Sequence, residues 1–220
     1  MNFFDINTVF FSALDYNMSY IEFFGVAFGL WAVWLSAKAR IWSWPIGIVN
    51  VILAFFLYFQ IQLYPDMFLQ VFFFVTNILG WIRWASPKPE EEDHKHQLKV
   101  SFMKREQLLL VIAVGLLGTF ALGSFASRLH EWFPKIFALP SAYPYIDSFI
   151  TVMSIVTTFF MIQKKIECWI IWIVVDIVAT YLYYVKGVKF YSVEYLIFTG
   201  LAAFGLWNWI REYKSYRTAR

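Results

Sequence analysis

The sequence holds one cysteine, three histidines and little charge: Lys, Arg, Asp and Glu together make up 15% of its 220 residues. A lone Cys168 excludes an intrachain disulfide, and no Cys or His spacing forms a metal-ligand set. His94 and His96 stand in "PKPEEEDHKHQLK", which reads as a solvated loop rather than as a pair of ligands. The long apolar segments contain no histidine at all. Hydrolytic chemistry needs an acid–base pair or a nucleophile with its base within reach, so no catalytic constellation is present and an enzyme is not expected. A retinal-type receptor needs a Schiff-base lysine in its last span, and Val193 to Ile210 has none. Soluble domains carry about a quarter charged residues. With 60% hydrophobic residues, this chain has too little polar surface to coat a water-soluble globule.

What it has is length and apolarity in segments. Seven stretches, at 22–37, 44–62, 66–84, 106–127, 146–163, 168–186 and 192–210, are long enough to cross about 30 Å of hydrocarbon. Backbone groups in lipid must be satisfied within the segment, so these are helices. A transmembrane barrel would show short alternating segments instead. The fold class is an all-α membrane protein with seven transmembrane helices.

Residues 1–21 stand apart. "MNFFDINTVFFSALDYNMSY" lacks a basic start and carries Asp5 and Asp15, so it is not a secretory signal. Its Phe-rich part is too short to span and is expected to lie on the membrane surface or cap the bundle.

Orientation follows from the basic residues. Fourteen Lys and Arg, including Lys38, Arg40, those of the 85–105 loop and those of the 211–220 tail, fall on one side; Arg128, Lys135, Lys186 and Lys189 fall on the other. The N-terminus is therefore expected outside and the C-terminus in the cytoplasm. The net charge of +3 follows from this topology and needs no nucleic-acid partner.

An odd number of spans permits a parallel repeat. Segments 22–84 and 146–210 share a pattern at an offset near 126, with 106–127 as the linker that returns the chain. Lys38 matches Lys164, Tyr58 matches Tyr184, and "GWIRW" at 80–84 matches "GLWNW" at 205–209. At that offset Asn50 stands opposite Asp176. The expected architecture is a 3+1+3 arrangement with a solute site between the repeats near the midplane.

Polar side chains inside the spans fall on helical faces. The third span spaces Gln70, Phe74, Asn77, Trp81 and Trp84 by 4, 3, 4 and 3. The sixth spaces Trp169, Trp172, Asp176, Thr180 and Tyr183 by 3, 4, 4 and 3, again one face. The second carries Ser43, Gly47, Asn50, Ala54 and Tyr58, and the seventh carries Glu194 and Asn208. Amides in membrane helices often only join neighbours, at about 0.6 kcal/mol per bond. Trp near span ends often only anchors. Asp176 is different: a mid-span Asp costs about 2.5–3.5 kcal/mol to insert and must face the bundle or a watery cavity. No span core supplies a Lys or Arg to meet it. Either it is protonated and bonded to a neighbouring helix, for instance to the amide of Asn50, or its counter-charge is not part of the protein. A carboxylate among aromatic rings and amides suits a flat cation with hydroxyl or carboxamide groups. Pro45 and Gly47 are the expected hinges of the second span.

"WSWPIGIVNVILAFFLYFQIQLYPDMFLQVFFFVTNILGWIRW", 42–84, resembles the Pnu family of bacterial vitamin transporters, and "FYSVEYLIFTGLAAFGLWNW", 190–209, is similar in kind. The resemblance implies a full-length relative of the SWEET sugar transporters, a homotrimer in the bacterial cytoplasmic (inner) membrane, and no cofactor. It implies facilitated diffusion of nicotinamide riboside for NAD synthesis, with a separate cytoplasmic kinase trapping the solute. It further implies Gln70, Asn77, Trp172 and Asp176 as substrate-binding residues, with Asn50, Tyr183 and Asn208 next; Trp169, Phe74 and Trp81 complete the aromatic set. Thiamine, riboflavin, or ion-coupled transport through Asp176 remain open alternatives.

Overall fold

The computed structural model describes residues 3–13, 16–61, 64–93, 96–133, 140–187 and 189–218. Its helices are α1 (Tyr20–Ala37), α2 (Ser43–Gln60), α3 (Tyr64–Ala85), α4 (Arg105–Trp132), α5 (Pro144–Ile162), α6 (Glu167–Val185) and α7 (Lys189–Thr218). All seven are long and apolar enough to cross a membrane. Their ends lie within three residues of the apolar segments, except that α4 and α7 run on at their C-termini. The added turns, "RLHEW" and "REYKSYRT", are more polar but rich in good helix formers, so the helix outlasts the hydrophobic signal.

The chain forms two compact units, Met1–Lys99 and Val100–Arg220. In the first, the N-terminal segment folds as an antiparallel pair, β1 (Val9–Ala13) and β2 (Tyr16–Ser19), which the sequence did not suggest. Its rings hold it in place: Phe10 lies 4.7 Å from Tyr20 and 4.9 Å from Phe23, and Phe4 lies 5.2 Å from Phe56. The Gln60 amide accepts from the Ile6 N–H at 3.0 Å and donates to the Phe4 carbonyl at 2.6 Å. At the entry to α1, the Ser19 hydroxyl accepts from the Glu22 N–H while the Glu22 carboxylate accepts from the Ser19 N–H, a reciprocal cap.

Small residues let the helices of this unit approach closely. Asn50 of α2 donates to the Gly25 carbonyl of α1 at 2.8 Å. Asn77 of α3 puts its Oδ1 where a Cβ on Gly47 would stand, and Trp44 of α2 fills the corresponding space over Gly80 of α3.

In the second unit, α4 packs along α5, α5 along α6, and α6 along α7. The residues ahead of α4 lie against the α5–α6 turn. The Ser101 N–H donates to the Lys164 carbonyl at 3.1 Å, and its carbonyl accepts from Ile166 at 3.0 Å. The Glu167 carboxylate accepts from the Met103 N–H at 2.9 and 3.0 Å.

The two units repeat one local design at a spacing of 125. Ala39 (φ 52°) and Lys164 (φ 55°) both adopt the left-handed conformation after a helix. Ala39 and Arg40 donate to Ser36 and Leu35 at 2.8 and 2.9 Å; Lys164 and Lys165 donate to Met161 and Phe160 at 2.9 and 3.0 Å. Trp44 meets Trp84 edge-to-face at 5.1 Å and 87°, and Trp169 meets Trp209 at 5.4 Å and 90°. This spacing corrects the offset read from charge. Lys38 and Lys164 look alike in sequence, but the backbone matches Lys164 to Ala39. Asn50 then corresponds to Val175, Asp176 to Val51, and Tyr58 to Tyr183.

Candidate functional site

The carboxylate buried among the described residues, Asp176, lies in the second unit. Helix α6 buries Cys168, Trp169, Val175, Asp176, Ala179 and Leu182 along its inner face. Asp176 is 4% exposed. Its backbone carbonyl accepts from the Thr180 hydroxyl at 2.7 Å. Among the described residues, no donor meets its carboxylate. Trp172, one turn away, is half-buried. On the other side of Asp176, Tyr183 stacks on Tyr195 of α7 at 5.4 Å and 7°, and tilts against Tyr191 at 5.4 Å. Ser192 ties the helices by donating to the Thr180 carbonyl at 2.9 Å. Glu194, between those tyrosines in sequence, is half-buried, and no donor meets its carboxylate among the described residues. Asn208 is half-buried, one turn beyond Gly205.

Trp169 departs from its expected role. It is 1% exposed, and a Cβ on Gly205 would lie 2.7 Å from its ring. Its indole N–H is buried without an acceptor among the described residues. In this conformation the ring has no open face, so Trp169 packs α6 onto α7 rather than receiving a solute.

The residues expected from the first unit do not stand together. The Asn50 amide donates to the Gly25 carbonyl, and the Asn77 amide donates to the Phe73 carbonyl of its own helix at 2.8 Å. The third-span face divides: Asn77, Gly80 and Trp84 turn onto α2, while Phe74 and Trp81 are 37% and 42% exposed. Gln70 is half-buried.

The hinge expectation is also corrected. Pro45 is the third residue of α2, inside the first turn, where its missing N–H breaks no helical bond. The first bond in the ladder is Ile46 to Trp42 at 3.2 Å. Gly47 accommodates the Asn77 side chain; no bend is required of it.

The tyrosine stack was missed in sequence, although Tyr191 and Tyr195 stand at the i, i+4 spacing of one helix face. So was the pair between Lys186 and Asp147, whose ammonium and carboxylate meet at 2.7 and 2.9 Å. Its only signal is an Asp opening the fifth span and a Lys closing the sixth.

A buried mid-span carboxylate on a seven-helix frame is the mark of a solute or ion pathway. Comparison with known proteins agrees. The nicotinamide mononucleotide transporter family matches over residues 19–211. The chain belongs to this family. Among its relatives is the nicotinamide riboside transporter PnuC of Escherichia coli (strain K12), 31% identical over 231 residues, covering 96% of this chain and 95% of that protein. The riboflavin/roseoflavin transporter RibM of Streptomyces davaonensis is 24% identical and covers 93% and 91%. The crystal structure of the vitamin B3 transporter PnuC superimposes with a TM-score of 0.65 at 25% identity, covering 87% of this chain and 81% of that one. Family members and structural neighbour alike are transporters, and the chain is a multi-pass protein of the bacterial inner membrane.

Proposed function

We propose that this chain is a uniporter that takes up nicotinamide riboside by facilitated diffusion. One observation carries the reading: the Asp176 carboxylate is buried in a membrane helix, and neither the span cores nor the described neighbours supply its counter-charge. Nicotinamide riboside brings that charge as a flat pyridinium, together with a carboxamide and a ribose. The mononucleotide adds a phosphate, which would need cationic partners that the span cores lack. Riboflavin is uncharged and would leave Asp176 without a partner.

In this reading Asp176 pairs with the ring charge and Trp172 stacks on the ring. Tyr183 and Asn208 contribute from the same unit. Within the first unit, Gln70 and Asn77 with Phe74 and Trp81, then Asn50, are the proposed substrate contacts. The 3+1+3 repeat, homotrimeric assembly, a cytoplasmic C-terminus and trapping by a cytoplasmic kinase complete the proposal. The family's transport activity and the 125-residue repetition support it.

The test is uptake into proteoliposomes at zero membrane potential, comparing labelled nicotinamide riboside, its mononucleotide, thiamine and riboflavin. Equilibrating uptake of nicotinamide riboside alone, indifferent to proton and sodium gradients, is the expected result. Uptake of thiamine or riboflavin instead would replace the substrate. Accumulation that collapses with an ion gradient would make Asp176 a coupling group.

A further inference from the structure

The end of the second unit away from the Trp169–Trp209 pair holds a positive nitrogen in a setting fit for a different one. The Lys186 ammonium, at the C-terminal end of α6, donates to both carboxylate oxygens of Asp147 at the start of α5, at 2.7 and 2.9 Å. It also stands 5.8 Å from the centre of the Tyr183 ring, within cation–π reach. Tyr183 in turn lies parallel to Tyr195 at 5.4 Å, so the ammonium stands next to a pair of stacked rings. Helix α5 supplies the carboxylate, α6 one ring and the cation, α7 the second ring. The Lys186 and Asp147 side chains are 28% and 39% exposed, so water and solutes reach the pair.

A carboxylate whose bound ammonium also lies within cation–π reach of a stacked tyrosine pair suits a flat organic cation. Here the protein's own lysine fills it. The geometry points to an outer reception site for the cationic solute, formed by Asp147, Tyr183 and Tyr195 and plugged by Lys186, which the solute displaces on its way to Asp176. This rests on the proposed substrate and on the orientation that places this end outside. An exposed pair of this kind is weak, which a plug requires: a lysine held more firmly would not yield to a solute of the same charge. From Tyr183 to Asp176 is seven residues, two helical turns or about 10 Å along α6, so the two carboxylates are successive stations rather than one site.

Initial uptake of nicotinamide riboside is measured against concentration for the full-length wild type, Lys186→Gln and Lys186→Arg. Removing the competing ammonium should lower KM roughly three- to tenfold, with the maximal rate within about twofold. Arginine, whose guanidinium pairs a carboxylate bidentately, should hold the site more firmly and raise KM above wild type. Asp147→Asn should raise KM with or without Lys186. A Lys186→Gln protein with unchanged or raised KM overturns the plug, and so does a Lys186→Arg protein with unchanged or lowered KM. Because the two variants shift KM in opposite directions, a folding defect in one leaves the other to decide. If the wild type takes up no nicotinamide riboside, the substrate reading fails instead.

Discussion

Trp44 and Trp169 hold the same station in the two units, each the residue five after a left-handed helix end, each pressed onto a glycine and each meeting a second indole edge-to-face. Around this common anchor the units diverge. The first spends its amides on itself: Asn50 bonds α1 and Asn77 fits α3 against α2. At the corresponding stations the second has Val175 and Ala202, and the carboxylates of its Asp176 and Glu194 are met by no donor among the described residues. The lesson is one of division. Around one local packing design, the first unit closes its amides with its own hydrogen bonds, while in the second a buried carboxylate meets no donor among the described residues.

Breaking the anchors should give the largest effects. Trp44→Ala and Trp169→Ala should each cost about 3–5 kcal/mol, and by similar amounts, in unfolding followed in detergent. A large loss at one and none at the other would end the equivalence of the two stations. Asp176→Asn should weaken nicotinamide riboside binding roughly 10- to 100-fold in calorimetry, the worth of a bond to a charged group, while uncharged nicotinamide is little affected. Equal losses for both ligands would make Asp176 a packing residue like those of the first unit. Gly80→Ala and Gly205→Ala should each cost about 1–3 kcal/mol, because the added methyl meets a buried indole that cannot yield.

Smaller effects sharpen the contrast. Asn50→Leu should cost about 0.6 kcal/mol, the usual worth of one interhelical bond in a membrane, and should change solute affinity less than Asp176→Asn does. Pro45→Ala should leave the transport rate within about twofold, since the first turn of α2 needs no N–H there. In the loop after α3, the Glu91 carboxylate accepts from the Arg83 side chain at the helix end at 2.7 Å, which holds that carboxyl below the ordinary carboxylate value. The folded form therefore takes up its proton at lower pH than the unfolded form. That clip is present at neutral pH and is lost as pH falls through the depressed value, so hydrogen exchange in the segment after α3 should rise only in acid.

The sequence by itself determined the spans, because hydrocarbon demands long uninterrupted apolar helices and the composition can meet that demand in only seven places. It also singled out Asp176, since a charge in that setting has few tolerable explanations. The N-terminal strand pair escaped it, as Phe-rich residues pack equally well on lipid or on Phe23 and Phe56. The shared turn-and-tryptophan design falls at a spacing of 125, one residue from the spacing that the charges suggest. Sequence aligns like charges, whereas the fold aligns the residues that take the left-handed turn, and Ala39 and Lys164 share nothing but that conformation. Whether an amide faces a solute or a neighbouring helix, and whether an indole is a receptor or a wedge, was decided only by tertiary structure. Helical spacing states which residues share a face; what lies opposite that face is set by how closely a glycine lets the next helix approach.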